Sequence, residues 1–357
     1  MRVTNARREQ MQELSDVHGG AGAILFGRLW ERDDFETPFA FVHSAVLPPG
    51  GGIGYHRHYD SEEIFVTIDN AAKANILDRA TSDAIAEAWK NVWDDYDVRV
   101  AILTGTGERH FCAGHNLEPP PGISAEDRER VRSENVFWPP SGTVNGSKFG
   151  ADGSLGDHYP QIWKPVIGAI NGWAAGAGFY LMLTSTDIRI ACEEHARFKF
   201  ALLSQGWVGH GPGATYLTRQ VAYADAMKIL LTDEPFGAKE ALRMNLINEV
   251  VAHGSLMERA EELAAQIAAM PPVAVRMMKE FIIRFRDVPV GEAWRVQTLM
   301  NSLLTQITTD GDEGRIAFNE KRPPNFTGGI REKGDAFPEL DAAERERLRG
   351  IRRDLIG

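Results

Sequence analysis

Apolar and polar positions fall into distinct textures along the chain. Residues 1–19 are polar and read as helical or frayed. Over 21–68 the pattern changes to short β-like runs, AILFGRLW, FAFVHSAVL and EEIFVTI, broken by the turn-forming PPGGGIG at 48–54. Residues 70–96 read as a loop entering an amphipathic helix, in which Ile85, Trp89 and Trp93 recur at four-residue spacing as one buried stripe. The runs VRVAILT (98–104), PVIGAI (165–170) and DIRIA (187–191) are largely apolar, as in strands covered on both faces of a parallel sheet. Most of them lead into helix-like segments, so the middle of the chain predicts repeated βα units, an α/β fold. Residues 119–162 are rich in Pro, Gly and Ser with stranded aromatics (Phe137, Trp138, Tyr159). That is too long for a simple connection, and predicts a lid, a binding loop or a disordered segment. Residues 222–285 are mostly helical in pattern, and the chain closes on the charged ELDAAERERLRGIRRDLIG.

Composition narrows the class. The chain has 357 residues, 43% hydrophobic and 25% charged, with a formal net charge of −11; this suits a soluble protein of roughly two domains. No window approaches the ~20 apolar residues of a membrane span, and MRVTNARREQMQEL lacks the apolar core of a signal peptide. Two cysteines, Cys112 and Cys192, cannot build a disulfide framework, so a cytoplasmic protein without a membrane partner is expected. The acidic balance argues against nucleic acid as a partner, since phosphate binding needs a basic field.

Two glycine-containing strand-to-helix transitions carry candidate chemistry, LTGTGERHFCAGHNLE (103–118) and INGWAAGAGFYLM (170–182). Such a transition presents backbone N–H groups at the positive end of a helix dipole. Two N–H groups converging on one oxygen make an oxyanion hole, in which each donor is worth ~3–4 kcal/mol of transition-state stabilisation.

Together with VTIDNAAKANILD, KPVIGAINGWAAGAGFYLMLTSTDIRIA, ILLTDEPFGAKEALRMNLINEVV and the late AFNEKRPPNFTG, these stretches resemble the crotonase (enoyl-CoA hydratase/isomerase) superfamily over about residues 64–328. The resemblance implies a spiral of ββα units, a helical C-terminal trimerisation region giving a homotrimer or dimer of trimers, and an acyl-CoA thioester as substrate, with coenzyme A part of that substrate and no further cofactor required. By position it implies the backbone N–H groups of His115 and Ala177 as oxyanion donors. It also implies Lys73, Ala74, Asn75, Leu77, Ala113, Asn116 and Leu117 as the stretch along the CoA nucleotide. A thioester carbonyl so polarised can become an enolate, the common species for hydration, double-bond migration, decarboxylation and C–C cleavage. Which acid or base flanks the α and β carbons separates these outcomes.

The resemblance breaks at the acid/base positions. Hydratases of this family use two glutamates, and the corresponding positions here are Tyr180 and Leu202. Leucine transfers no proton, and a tyrosine of pKa about 10 is a poor base. His210, in QGWVGHGPG, is the natural replacement, since an unperturbed histidine titrates near 6.5. Tyr180 is a candidate to hydrogen-bond a substrate carboxylate. The expected function is therefore hydratase/isomerase-like, with a C–C hydrolase or an acyl-CoA decarboxylase as alternatives.

Residues 20–65 resemble half of a cupin. In PPGGGIGYHRHYDSEEIFV the side chains of His56 and His58 share one strand face and Glu63 follows, a set suited to a divalent first-row metal. The second histidine motif of a cupin does not follow. The expected organisation is a cupin-like β segment (1–65), a spiral core (66–255) with the long loop 119–162, a helical region (256–328) and a charged tail (329–357). Two readings from other classes stay open, a metal-binding cupin and a non-catalytic CoA-binding protein.

Overall fold

A computed structural model describes residues 12–15, 23–31, 41–46, 63–116, 124, 126, 143–144, 147–148, 162–209 and 213–332. The first strands, β1 (Gln12–Ser15), β2 (Ala23–Glu31) and β3 (Phe41–Val46), form an antiparallel sheet in the order β1-β2-β3. Over residues 12–15, β1 corrects the helical or frayed reading of residues 1–19. Its four residues pair with Phe26 back to Ala23, so a strand edge elsewhere supplied the hydrogen bonds that a polar sequence without periodicity could not announce.

The fourth run leaves that group. β4 (Glu63–Ile68) pairs in parallel with β5 (Val100–Gly105), so EEIFVTI belongs to the central sheet rather than to the antiparallel strands before it. β5 is buried along its whole length, as is β9 (Val166–Ile170). With β11 (Ile188–Cys192) and β14 (Glu249–Val251) they form a five-stranded sheet, order β14-β11-β9-β5-β4, parallel throughout. The three apolar runs read as doubly covered strands are its three central members.

A second sheet runs β13 (Phe236–Gly237), β12 (Arg197–Lys199), β10 (Trp173–Ala175), β6 (His110–Cys112), parallel among β6, β10 and β12. In the long 119–162 segment the described backbone includes a two-residue antiparallel ladder, β7 (Thr143–Val144) with β8 (Ser147–Lys148). Its intervening Asn-Gly is a hairpin signal in the sequence that the reading passed over.

Helix α1 (Arg79–Asp94) is capped at both ends. The Asp78 carboxylate accepts the Thr81 amide at 2.9 Å, a hydrogen bond that holds its pKa below the ordinary value. The Lys164 ammonium donates to the last carbonyls, Val92 at 2.7 Å and Trp93 at 3.3 Å, and to that of Asp95. Ile85 and Trp89 are buried and Trp93 is partly so, as the four-residue stripe required. Helix α2 (Ala177–Ser185) is apolar around its circumference and has eight of nine residues buried, which makes it a core helix. It is followed by α3 (Gly213–Gln220), α4 (Tyr223–Thr232), α5 (Ala238–Arg243) and α6 (Leu256–Ala268). Leu256, Ala260, Ala264 and Ala268 make one buried stripe of α6, and the small alanines let it lie close against β5, β9 and β11. α6 thus belongs with the sheets, in a compact unit that ends at Ala268, although the sequence groups it with the later helices.

The unit from Ala269 onward is helical, with α7 (Pro272–Phe285), α8 (Val290–Ile307) and α9 (Asp310–Glu320). The buried Asp310 carboxylate accepts the amides of Thr327 and Gly328 at 3.0 Å, fixing the segment after α9. Its helices carry exposed apolar side chains, among them Trp294 (69% exposed), Leu299, Leu303 and Ile307 on α8. Among the described residues no helix is long and apolar enough to cross a membrane.

One carboxylate on α6 gives a pH test. Burial raises Glu261 from its ordinary 4.5 to about 7, and the Glu258 charge adds to this. Its protonated form is favoured in the folded state, so its stabilisation is complete below pH 4.5 and is lost as pH rises through about 7. Glu261→Gln should raise the melting temperature at pH 8 and leave it unchanged at pH 4; equal shifts at both would refute the burial of a charge there.

Candidate functional site

The site grows from the carboxyl ends of two short neighbouring strands. β6 and β10 run parallel with Trp173 opposite His110 and Ala174 opposite Cys112, so the turns after them, Ala113–Asn116 and Gly176–Ala177, leave side by side. Gly114 has φ +98°, and a Cβ there would lie 2.9 Å from the Ala175 carbonyl oxygen and 3.1 Å from the Ala177 nitrogen. Only glycine lets the first turn rest against the second. Gly178 repeats the device one turn on: a Cβ would come 2.1 Å from the Cys112 carbonyl oxygen. Ala177 opens α2 after Gly176 (φ 53°), so its amide is one of the four that the helix itself cannot pair.

A third segment braces the first turn. Leu77 bridges His115: the Leu77 amide donates to the Gly114 carbonyl at 2.8 Å, and the Asn116 amide donates to the Leu77 carbonyl at 3.1 Å. The Ala113 amide donates to the Ala74 carbonyl at 3.2 Å. The backbone is left-handed at Ala74 and Asn75, with φ near +56° at both. Asn75 is fully buried, and its Nδ2 donates to the carbonyls of Thr106 (2.9 Å) and His110 (2.7 Å). Asn171 holds the same loop from the other side. Its Nδ2 donates to Gly105 (2.8 Å) and Gly107 (2.6 Å), and its Oδ1 accepts the Gly105 amide at 3.2 Å. Two buried amides therefore fix residues 105–110, the lead-in to β6.

Tyr180 lies one helical turn beyond Ala177 and is 5% exposed. Its hydroxyl is buried without a hydrogen-bond partner among the described residues. Gly209 joins it to Leu202: a Cβ on Gly209 would sit 2.3 Å from Leu202 Cδ1 and 2.7 Å from Tyr180 Oη. Gly213 faces the ring of Tyr180 from α3, where a Cβ would meet Cδ1 at 2.0 Å. Burial pushes the Tyr180 phenol well above its ordinary value and the Asp233 charge adds to that, so the hydroxyl is a neutral donor and not a base. Asp233 is buried as well. Burial alone would raise its carboxyl, but amides from Ser204 (2.8 Å) and Ala201 (2.5 Å) outweigh this and keep it low. Those same bonds hold the turn that carries Leu202.

The sequence matches the family model described as "Enoyl-CoA hydratase/isomerase" over residues 61–137 and 149–329. The chain belongs to this family. It is similar to the (E)-benzylidenesuccinyl-CoA hydratase of Thauera aromatica, 33% identical over 74% of this chain and 95% of that protein. It is also similar to a carnitinyl-CoA dehydratase of Escherichia coli, 34% identical over 74% and 94%. Among solved structures it resembles an enoyl-CoA hydratase from Bacillus anthracis, with a TM-score of 0.63 and 28% identity over 76% of this chain and 98% of that one. An enoyl-CoA hydratase from Mycobacterium tuberculosis H37Rv gives a TM-score of 0.61 at 28% identity, over 75% and 96%.

For a member of the enoyl-CoA hydratase/isomerase family, the expected residues gather partly. Ala74, Leu77, Ala113 and Asn116 meet along one edge of the first turn, with Lys73 exposed beside them. Asn75 and Leu77, however, turn their side chains into the protein, leaving only main chain toward a ligand. His115 is exposed, its Nδ1 3.4 Å from the Leu77 carbonyl oxygen. Tyr180 and Leu202 are neighbours. Glu63 opens β4 opposite Val100, while His56, His58, Leu117 and His210 lie outside the described residues. Sequence reasoning missed the bracing roles of Asn171 and Asp233. An asparagine ending an apolar strand before glycine was the available signal for the first; Asp233 carried none, because its amide partners lie some 30 residues away.

Asn171→Ala should lower unfolding free energy by about 2 kcal/mol or more, because buried carbonyls lose their donor. Asn171→Asp should cost more still, since it turns a carboxylate oxygen toward those carbonyls. Chemical denaturation of both variants checks the order, and an aspartate better tolerated than alanine would overturn the assigned amide orientation.

Proposed function

We propose that this protein binds an acyl-CoA thioester and stabilises an enolate on it, with the main-chain N–H groups of His115 and Ala177 gripping the thioester oxygen. The observation that supports this reading is the close approach of the two turns, so close that a Cβ on Gly114 would lie 3.1 Å from the Ala177 nitrogen. Negative charge developing on that oxygen meets donors already in place, which lowers the barrier without reorganisation. The partly exposed edge formed by Lys73, Ala74, Ala113 and Asn116 is where the nucleotide end of the CoA would run.

Hydratase/isomerase-like chemistry is the first expectation, supported by the family and by the names of the relatives. The acid/base pair must differ from the two glutamates of the family's hydratases. Tyr180 offers a neutral hydroxyl without a protein partner, suited to donating a hydrogen bond to a polar substituent or carboxylate on the acyl group. His210 follows Gly209, the residue in contact with both Tyr180 Oη and Leu202, and is the candidate for moving the proton. The replaced glutamates also favour a second reading, C–C hydrolysis or decarboxylation, in which cleavage of a carbon–carbon bond delivers the enolate directly.

Enoyl-, β-keto- and malonyl-type CoA esters offered in turn should give turnover of at least one. Silence across all of them, with no acyl-CoA affinity by calorimetry, would remove the enzymatic reading. With the active ester in hand, His210→Ala should lower kcat about 100-fold or more, the scale of general acid–base catalysis, and leave acyl-CoA affinity within about twofold. An unchanged rate would strike His210 from the mechanism.

We further propose a homotrimer built through the helices after Ala269, whose Trp294, Leu299, Leu303 and Ile307 are exposed in the single chain. Light scattering should give three or six times the chain mass of 39.5 kDa; a monomer would exclude it.

A further inference from the structure

The opposite ends of the same short strands carry a second feature. A pocket of about 220 Å³ is lined by Arg109, Trp173, Glu194, His195 and Arg197. Arg109 immediately precedes β6, Trp173 opens β10 and Arg197 opens β12; Trp173 stands opposite Arg197 in register, and its amide donates to the Arg109 carbonyl at 2.9 Å. These strands are three residues long, so the pocket lies about 10 Å along the sheet from the two turns of the proposed catalytic site.

Charge sets this pocket apart. The protein is acidic overall, and several of its arginines are tied to carboxylates: Arg243 to Asp225 and Glu240, Arg259 to Glu249 and Glu262, Arg322 to Glu313 and Glu320. Arg109 and Arg197 have no carboxylate partner among the described residues. The only side-chain hydrogen bond of Arg197 there goes to the Ala196 carbonyl, at 2.7 Å. The one acidic group in the pocket, Glu194, is already engaged. Its carboxylate accepts the His253 amide at 2.9 Å, and its pKa is lowered by main-chain hydrogen bonds and by the nearby histidines. The His195 ring, packed edge-on against His253 with centroids 5.0 Å apart, completes the wall.

The two guanidinium groups rise from strands separated by β10, so their roots are about 10 Å apart with Trp173 between them. Both arginines line the pocket, and side chains of that length can span the distance to a group that accepts hydrogen bonds from two sides. A tetrahedral phosphate does this, offering oxygens in more than one plane to the two forks, and the two guanidiniums set against the one Glu194 carboxylate leave the pocket a positive balance for it to offset. The pocket is also larger than a phosphate group alone, leaving room for the molecule that bears it. We propose that this pocket binds the phosphate end of a small phosphomonoester, held between Arg109 and Arg197, at a site separate from the acyl-CoA site.

Calorimetric titration of the full chain with inorganic phosphate, and in parallel with adenosine 5′-monophosphate, tests this. Binding of at least one is expected, weakening as ionic strength rises. Equal affinities would identify the free anion as sufficient, and tighter binding of the nucleotide an organic phosphomonoester; both support the site. Arg109→Gln and Arg197→Gln should each weaken binding at least tenfold while the melting temperature holds. Should either variant fail to fold, Arg109→Lys and Arg197→Lys keep the charge and lose the fork, and should still bind measurably less tightly. Absence of heat with both probes, or variants that bind like the parent, would overturn the proposal. Displacement of phosphate by a saturating acyl-CoA would overturn the separateness of the site without touching the catalytic reading, which rests on turnover.

Discussion

Gly114 presses its bare α-carbon against the backbone of a turn more than 60 residues later, and much of the site's construction serves that contact. A methyl group at Gly114 would strike the Ala175 carbonyl and the Ala177 nitrogen, and one at Gly178 the Cys112 carbonyl. Two chain segments are thereby locked main chain to main chain, closer than any pair of side chains could hold them. β6 and β10 provide the parallel track, and Leu77, bonded on both sides of His115, stops the first turn from drifting. A site made of backbone tolerates wide change in side chains around it.

Polar groups inside the protein divide into those that build this frame and those left over. Asn75, Asn171, Arg189 and Asp233 are buried and extensively hydrogen-bonded. Arg189 alone donates to Thr186 Oγ1 and to the carbonyls of Leu246, Leu183 and Thr186, tying the end of α2 to the segment before β14; its pKa is brought down to about 10 by burial and it keeps its charge at neutral pH. Tyr180 is different. Its hydroxyl is buried, has no partner, and sits where glycines at 209 and 213 leave its surface accessible to main chain alone. A buried hydroxyl without a hydrogen bond carries a desolvation cost of about 1–3 kcal/mol, which a polar group on a ligand can recover.

The family frame and the chemistry performed on it are separable, because one fold can carry different side chains around its site. Leu202 is buried and apolar, and the buried Tyr180 hydroxyl beside it is a neutral donor.

The sequence by itself determined the central strands, the four-residue stripe of α1, the two glycine turns and, through its resemblance, the family frame that places them together. Each rests on short-range pattern: strands buried on both faces are continuously apolar, and a positive φ or a close approach selects glycine. Tertiary structure alone decided that Gln12–Ser15 is a strand, that β4 joins the parallel sheet, and that α6 lies with the sheets. It also decided that Asn75 spends its side chain inward and that Tyr180 and Leu202 touch through Gly209. These depend on partners from about ten to more than 150 residues away, and a polar or ambiguous residue takes its role from whichever partner the folded chain delivers to it.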